Sequence, residues 1–203
     1  YGTARAGTPS MGTATSIRSF AVDDLRAIYR RAFRADAATL IVVGDVSADT
    51  VLPQLEQAFG GWTREPGGPL APAPAATPAS RTRREVFLID KPGAPQSQIR
   101  IGQVGVSRQT PDYFPITVMN TVLGGSFSSR LNMNLREEHG YTYGASSSFD
   151  MRADAGPFVA AAGVQTDKTS ESLTEFFKEL NAIRETVPAD ELARSKNYVA
   201  LRY

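Results

Sequence analysis

Side chains able to do chemistry concentrate between Leu123 and Ala145, where the chain reads L-G-G-S-F-S-S-R-L-N-M-N-L-R-E-E-H-G-Y-T-Y-G-A. A serine nucleophile needs a base to take its proton. For Ser126, Ser128 and Ser129 the only histidine of the chain, His139, is the one candidate. G-G-S-F-S lacks the closing glycine of a nucleophile elbow, so Ser126 or Ser128 reads better as the cap of the next helix. A hydrolytic zinc site needs about three side-chain ligands plus water. One histidine cannot supply them, and neither His-x-x-Glu-His nor its reverse is present. His139, before Gly140, reads as a histidine favoured by the negative end of a helix. Glu137/Glu138 and Asp23/Asp24 are sequence neighbours, and neighbours on a helix do not face each other. They are poor acid/base dyads. No phosphate-loop pattern occurs. The segment therefore holds no self-contained catalytic centre.

Arg136 and Tyr143, seven residues apart, remain. A guanidinium and a phenol aimed into one cavity would donate hydrogen bonds to peptide carbonyls, which is substrate binding and not bond-making. On spacing alone a plainer alternative has the advantage: an arginine bonding the last helical carbonyls and a tyrosine in the core.

The elements that would position these groups follow from periodicity. Thr110-Pro111-Asp112 opens a helix carrying Phe114, Val118, Met119, Val122 and Leu123, which Gly124-Gly125 stops. Ser128–His139 reads as a further helix with Leu131 and Leu135 inward and Gly140 as its stop. Tyr141–Met151 and Pro157–Thr166 read as adjacent strands, with Tyr141 and Tyr143 on one face. Glu85–Asp90 and Gln98–Val106 read as two more strands about the turn K-P-G-A-P. A helix capped at Thr169 or Ser170 and a last one opened by Pro188 complete this part. Upstream, 22–34 has helical spacing, Thr39–Gly44 reads as a buried strand, and a helix with Val51, Leu52, Leu55 and Phe59 ends at Gly60-Gly61. Strands with helices in succession predict an α+β fold, an antiparallel or mixed sheet with helices packed on one face.

The 203 residues suffice for one large or two small domains. Residues 64–83 carry five prolines and read as a semi-extended linker. This predicts three parts: 1–63, the end of a first α+β domain; the linker; and 84–203, a second α+β domain. The chain opens on Tyr1, and the last helix is still running at Tyr203, so both ends are expected to be cut. A net charge of +1 gives no electrostatic case for nucleic acid or an anionic membrane. No apolar run approaches the ~20 residues of a membrane helix. Absence of cysteine excludes disulfides, thiolate catalysis and cysteine-ligated metal.

Several motifs in order resemble the insulinase/pitrilysin-type zinc peptidases, in particular bacterial members similar to mitochondrial processing peptidase. They are Y-G-T at Tyr1, L-I-V-V-G-D-V from Leu40, F-G-G-W from Phe59, F-L-I-D-K-P-G-A-P-Q-S-Q-I-R-I-G from Phe87, the Leu123–Gly144 segment, and V-Q-T-D-K-T from Val164. The resemblance covers essentially the whole chain. It implies α+β half-domains paired as a clamshell around an unfolded peptide. It places zinc on an inverted His-x-x-Glu-His helix of a catalytic domain upstream of the Y-G-T match, so no metal is expected in this chain. Carried over, Arg136 and Tyr143 contact the substrate backbone, and Gly124, Gly125 and Phe127 form the turn before them. The expected function is the non-zinc half of a metalloendopeptidase. The expected partners are a peptide and a catalytic half-domain, a partner subunit or a second copy. The alternative is a non-catalytic scaffold or partner subunit of a processing-peptidase-like complex. Bacterial cytoplasm and periplasm both remain open.

Overall fold

The computed structural model describes residues 1, 7–63 and 83–202. The chain divides into two compact units, Tyr1–Ala76 and Thr77–Tyr203. The expected linker falls, but for Arg83, outside the described residues.

The first unit is helical where described. Helix α1 (Ala14–Ser19) starts at Thr13, whose hydroxyl accepts the Ser16 N–H while the Ser16 hydroxyl accepts the Thr13 N–H. This reciprocal capping satisfies two donors that a helix start leaves open. Helix α2 (Val22–Ala32) carries Asp23 and Asp24 in its first turn and Arg30 and Arg31 in its last, matching the helix dipole. Helix α3 (Ala48–Phe59) tolerates Pro53 and ends at Gly60. The strand expected over Thr39–Gly44 is not formed: no ladder bond engages it, and Leu40 to Val43 are 44–92% exposed. Its β-branched composition encodes a preference for extended backbone. A strand, however, is completed by a neighbour's N–H and C=O groups, and none of the described residues supplies them.

The second unit holds an antiparallel sheet of β1 (Gln96–Val104), β2 (Thr142–Phe149) and β3 (Pro157–Gln165) in the order β1-β3-β2. Register puts Ile99 and Ala145 opposite Ala162, and Ile101 and Ser147 opposite Ala160. One face therefore collects Ile99, Ala145, Phe158, Ala160, Ala162 and Val164. Leu123, Leu131, Leu135 and Phe176 from the helical segments complete that core. The small alanines let helices approach the sheet closely.

Helix α4 (Tyr113–Asn120) widens into a π-helical turn, Thr121–Gly125. Helix α5 (Arg130–Asn132) continues as a second π-helical turn, Met133–Glu138. Helices α6 (Thr169–Ala182) and α7 (Ala189–Leu201) follow. Arg130 joins α5 to α7 through Glu191, at 2.8 Å, and the Thr186 carbonyl. The expected strand Glu85–Asp90 is also absent, with Val86, Phe87, Leu88 and Ile89 77–93% exposed. The reason is the same as for Thr39–Gly44. None of the described helices is long and apolar enough to cross a membrane.

Candidate functional site

The site is built on the two wide turns and the strand between them and β3. At Gly124 the first turn lies against β2 so closely that a Cβ would come within 2.3 Å of the Ser147 backbone nitrogen. At Gly125 a Cβ would meet the Asn120 side chain at 2.9 Å. Asn120 reinforces this approach: its Nδ2 donates to the Ser147 carbonyl at 3.0 Å, and the Ser147 hydroxyl donates to its Oδ1 at 2.7 Å.

The following loop is tied to the same strand. Asn132 is buried; its Nδ2 donates to the Phe127 carbonyl at 2.7 Å, and its Oδ1 accepts the Ala145 N–H at 3.3 Å. One side chain thus links the loop to β2. Sequence reasoning missed Asn120, Asn132 and Ser147. The available signal was an asparagine interrupting an apolar helical face, which must find partners once buried. The expected capping by Ser126 or Ser128 is not what forms. Ser129 occupies the N-cap of α5 without a side-chain bond to it, and the Ser126 hydroxyl donates back to the Thr121 carbonyl. The wide first turn leaves that carbonyl open to Ser126 and moves the helix start on.

Phe127, held through its carbonyl, is 63% exposed. The Arg136 guanidinium lies 4.7 Å from the ring centroid, and its Nε is 3.2 Å from a Glu137 carboxylate oxygen. The structure therefore joins Arg136 and Phe127 in a stack on which a cation is held by the ring's π face.

Tyr143 takes no part in that stack. The three steps from Thr142 to Ala145 face two on β3, from Val164 to Ala162, so β2 carries one extra residue there. Such a bulge re-aims side chains. The Thr142 hydroxyl closes it, donating to the Gly163 carbonyl at 2.7 Å and accepting the Gly144 N–H at 3.1 Å. Strict alternation from Ala145 would turn Tyr143 inward; the bulge leaves it 89% exposed. Tyr141 instead packs against the core, so the two tyrosines do not share the expected face.

His139 ends the second turn, its N–H donating to the Asn134 carbonyl five residues back. Gly140 then takes φ +65°, the left-handed conformation that ends helices at low cost for glycine. The His139 ring stacks on Tyr141 at 4.9 Å, and its Nε2 lies 3.8 Å from Glu175. Glu175 accepts from Lys178 and Asn134, both at 2.8 Å. The Lys178 hydrogen bond first, then that of Asn134, holds the Glu175 carboxyl below the usual carboxylate range. Among the described residues no group of three or more His, Cys, Asp or Glu side chains could hold a metal ion. These residues do not fit a zinc site.

A groove of the second unit, about 660 Å³, is lined by Arg108, Tyr113, Asn120, Phe149, Tyr198 and Arg202 among others, but not by Arg136 or Tyr143.

The family model described as the peptidase M16 inactive domain matches residues 19–199. The chain belongs to the peptidase M16 inactive-domain family. It is 29% identical, over 96% of its length, to a protein of Streptomyces coelicolor called an uncharacterized zinc protease. A Bacillus subtilis protein of the same description is 28% identical over 97% of the chain. The chain spans less than half the length of these relatives, 43% and 46%. A crystal structure of a peptidase M16 inactive domain from Pseudomonas fluorescens aligns over 95% of the chain and 46% of its own, with TM-score 0.80 and 26% identity. A protease from Helicobacter pylori shares the fold at TM-score 0.83, 18% identity, over 95% of this chain and 46% of its own. The α+β fold and the zinc-peptidase resemblance are thereby established.

Proposed function

We propose that this chain is the non-zinc half of a zinc-dependent metalloendopeptidase and that it binds and orients an extended peptide. The observation that carries the reading is Tyr143. A tyrosine that serves the core has no reason to stand in solvent, and here a bulge on an edge strand puts it there. Asn132 and Asn120 already engage the Ala145 N–H and the Ser147 carbonyl of β2, so the peptide is met here by side chains and not by an added strand. Arg136, steadied on Phe127, and the Tyr143 hydroxyl would then donate to a peptide carbonyl. Gly124 and Gly125, by close packing, fix the turn that carries Phe127. The zinc belongs to a catalytic half outside this chain, in a partner subunit or in the same longer polypeptide.

Donors of this kind act on developing negative charge, and one typically contributes ~100–1000-fold in rate. The test is Tyr143→Phe in the enzyme assembled with its zinc-bearing half. Turnover of a quenched fluorescent peptide is expected to fall by about that factor, while the unfolding free energy stays within about 0.5 kcal/mol of wild type. Wild-type turnover in Tyr143→Phe would overturn the role of the tyrosine.

A further inference from the structure

We infer that His139 and Glu175 form a proton-operated clasp, which draws the Arg136-bearing turn onto α6 as pH falls. His139 Nε2 is buried without a hydrogen-bond partner among the described residues and lies 3.8 Å from a Glu175 oxygen. That is too far for a hydrogen bond and close enough for a charge to be felt. Its ring cannot swing freely, because it stacks on Tyr141 with an interplanar angle of 15°. The geometry therefore holds an imidazole facing a carboxylate with the last short gap unclosed.

The charged and titratable groups around the imidazole come from both packed elements. Its own turn supplies Arg136, Glu137 and Glu138, with Arg136 engaged by Glu137. Tyr141 follows across Gly140. Helix α6 supplies Glu175, Lys178 and Glu179, of which Glu175 and Glu179 both accept from Asn134. The carboxylates of Glu175, Glu179 and Glu138 all act on Lys178. Uptake of one proton from solvent makes both ring nitrogens donors. Nε2–H then donates to Glu175, and no covalent bond other than N–H forms. Lys178, whose side chain is 58% exposed, can yield its place on the shared oxygen to water. Histidine is the side chain that changes charge between about pH 5 and 8, while Glu175, held below the usual carboxylate range, stays ionised throughout.

What the clasp fastens gives it meaning. The His139 N–H is bonded to the Asn134 carbonyl and the Gly140 N–H to the Arg136 carbonyl. Closing the side-chain gap restrains the backbone that carries Arg136. The clasp does not depend on the peptide-binding reading.

The experiment compares wild type, His139→Gln, Glu175→Gln and the double variant by thermal unfolding at pH 5.5 and 8.0. Hydrogen exchange of the His139 and Gly140 amides is followed in parallel, corrected for intrinsic pH dependence. The advantage of wild type over His139→Gln is expected to be about 1–3 °C larger at pH 5.5 than at pH 8.0. Exchange at the two amides is expected to slow severalfold at the lower pH. Both effects disappear in the Glu175→Gln background, where His139→Gln changes stability equally at the two pH values. A pH-dependent advantage that survives Glu175→Gln, or equal protection at both pH values in wild type, overturns the clasp. Should His139→Gln fail to fold, the exchange comparison of wild type with Glu175→Gln decides alone.

Discussion

Gly124 shows how much a single position can demand. Its missing side chain is what allows the first wide turn to rest on β2. In Gly124→Ala the new methyl would meet the Ser147 backbone, and backbone cannot rotate aside. The expected cost is about 1–3 kcal/mol, read as a lower midpoint in urea unfolding. Glu175 makes a second residue-level prediction. A carboxyl held low by Lys178 and Asn134 stabilises the folded chain fully above the ordinary carboxylate range. That contribution is lost as pH falls through the depressed value. Stability measured from pH 6 down to ~2 is expected to fall less steeply in Glu175→Gln than in wild type. At this scale the family resemblance, and not spacing alone, brought Arg136 and Tyr143 forward as candidates. It did not expose the environment of either. Whether Tyr143 faced the core or solvent turned on a one-residue bulge, which leaves no mark in composition.

Between elements, the contacts that matter are polar. Asn132 bridges the Phe127 carbonyl and the Ala145 N–H, and Asn120 exchanges two hydrogen bonds with Ser147. Removing the Asn132 amide leaves the buried Ala145 N–H and the part-buried Phe127 carbonyl without their partner. Asn132→Ala is expected to cost about 1–3 kcal/mol, measured by chemical denaturation, and to loosen the Phe127 loop. The segments with clear period were legible: β1, the β2–β3 hairpin, α4, α6 and α7 all form close to the expected residues. Helical spacing and strand alternation report local burial, and these elements bury one face. The wide turns at Thr121–Gly125 and Met133–Glu138 were read as ordinary helix. A π-helical turn differs by one residue per turn, less than a short apolar pattern can discriminate. Thr39–Gly44 and Glu85–Asp90 failed for a different reason. Their composition was read correctly as strand-competent, yet a strand is a property of two segments, and the second segment is not among the described residues.

Across the whole molecule, this contrast predicts uneven protection. Amides of Val86–Ile89 are expected to exchange orders of magnitude faster than those of β3, which is bonded on both sides. Mass-spectrometric hydrogen exchange on the isolated chain would measure the difference directly. The same runs carry a colloidal consequence. Leu40–Val43 and Val86–Ile89 combine strand preference, apolar side chains and the absence of any charge, the composition from which intermolecular β-stacks nucleate. Each copy presents two such adhesive ribbons, so one chain can join two others and growth need not stop at a pair. Light scattering from the purified chain is expected to rise steeply with concentration, and Leu88→Lys is expected to delay the onset. A polypeptide that shields both ribbons would act on this chain as a chaperone as much as a partner.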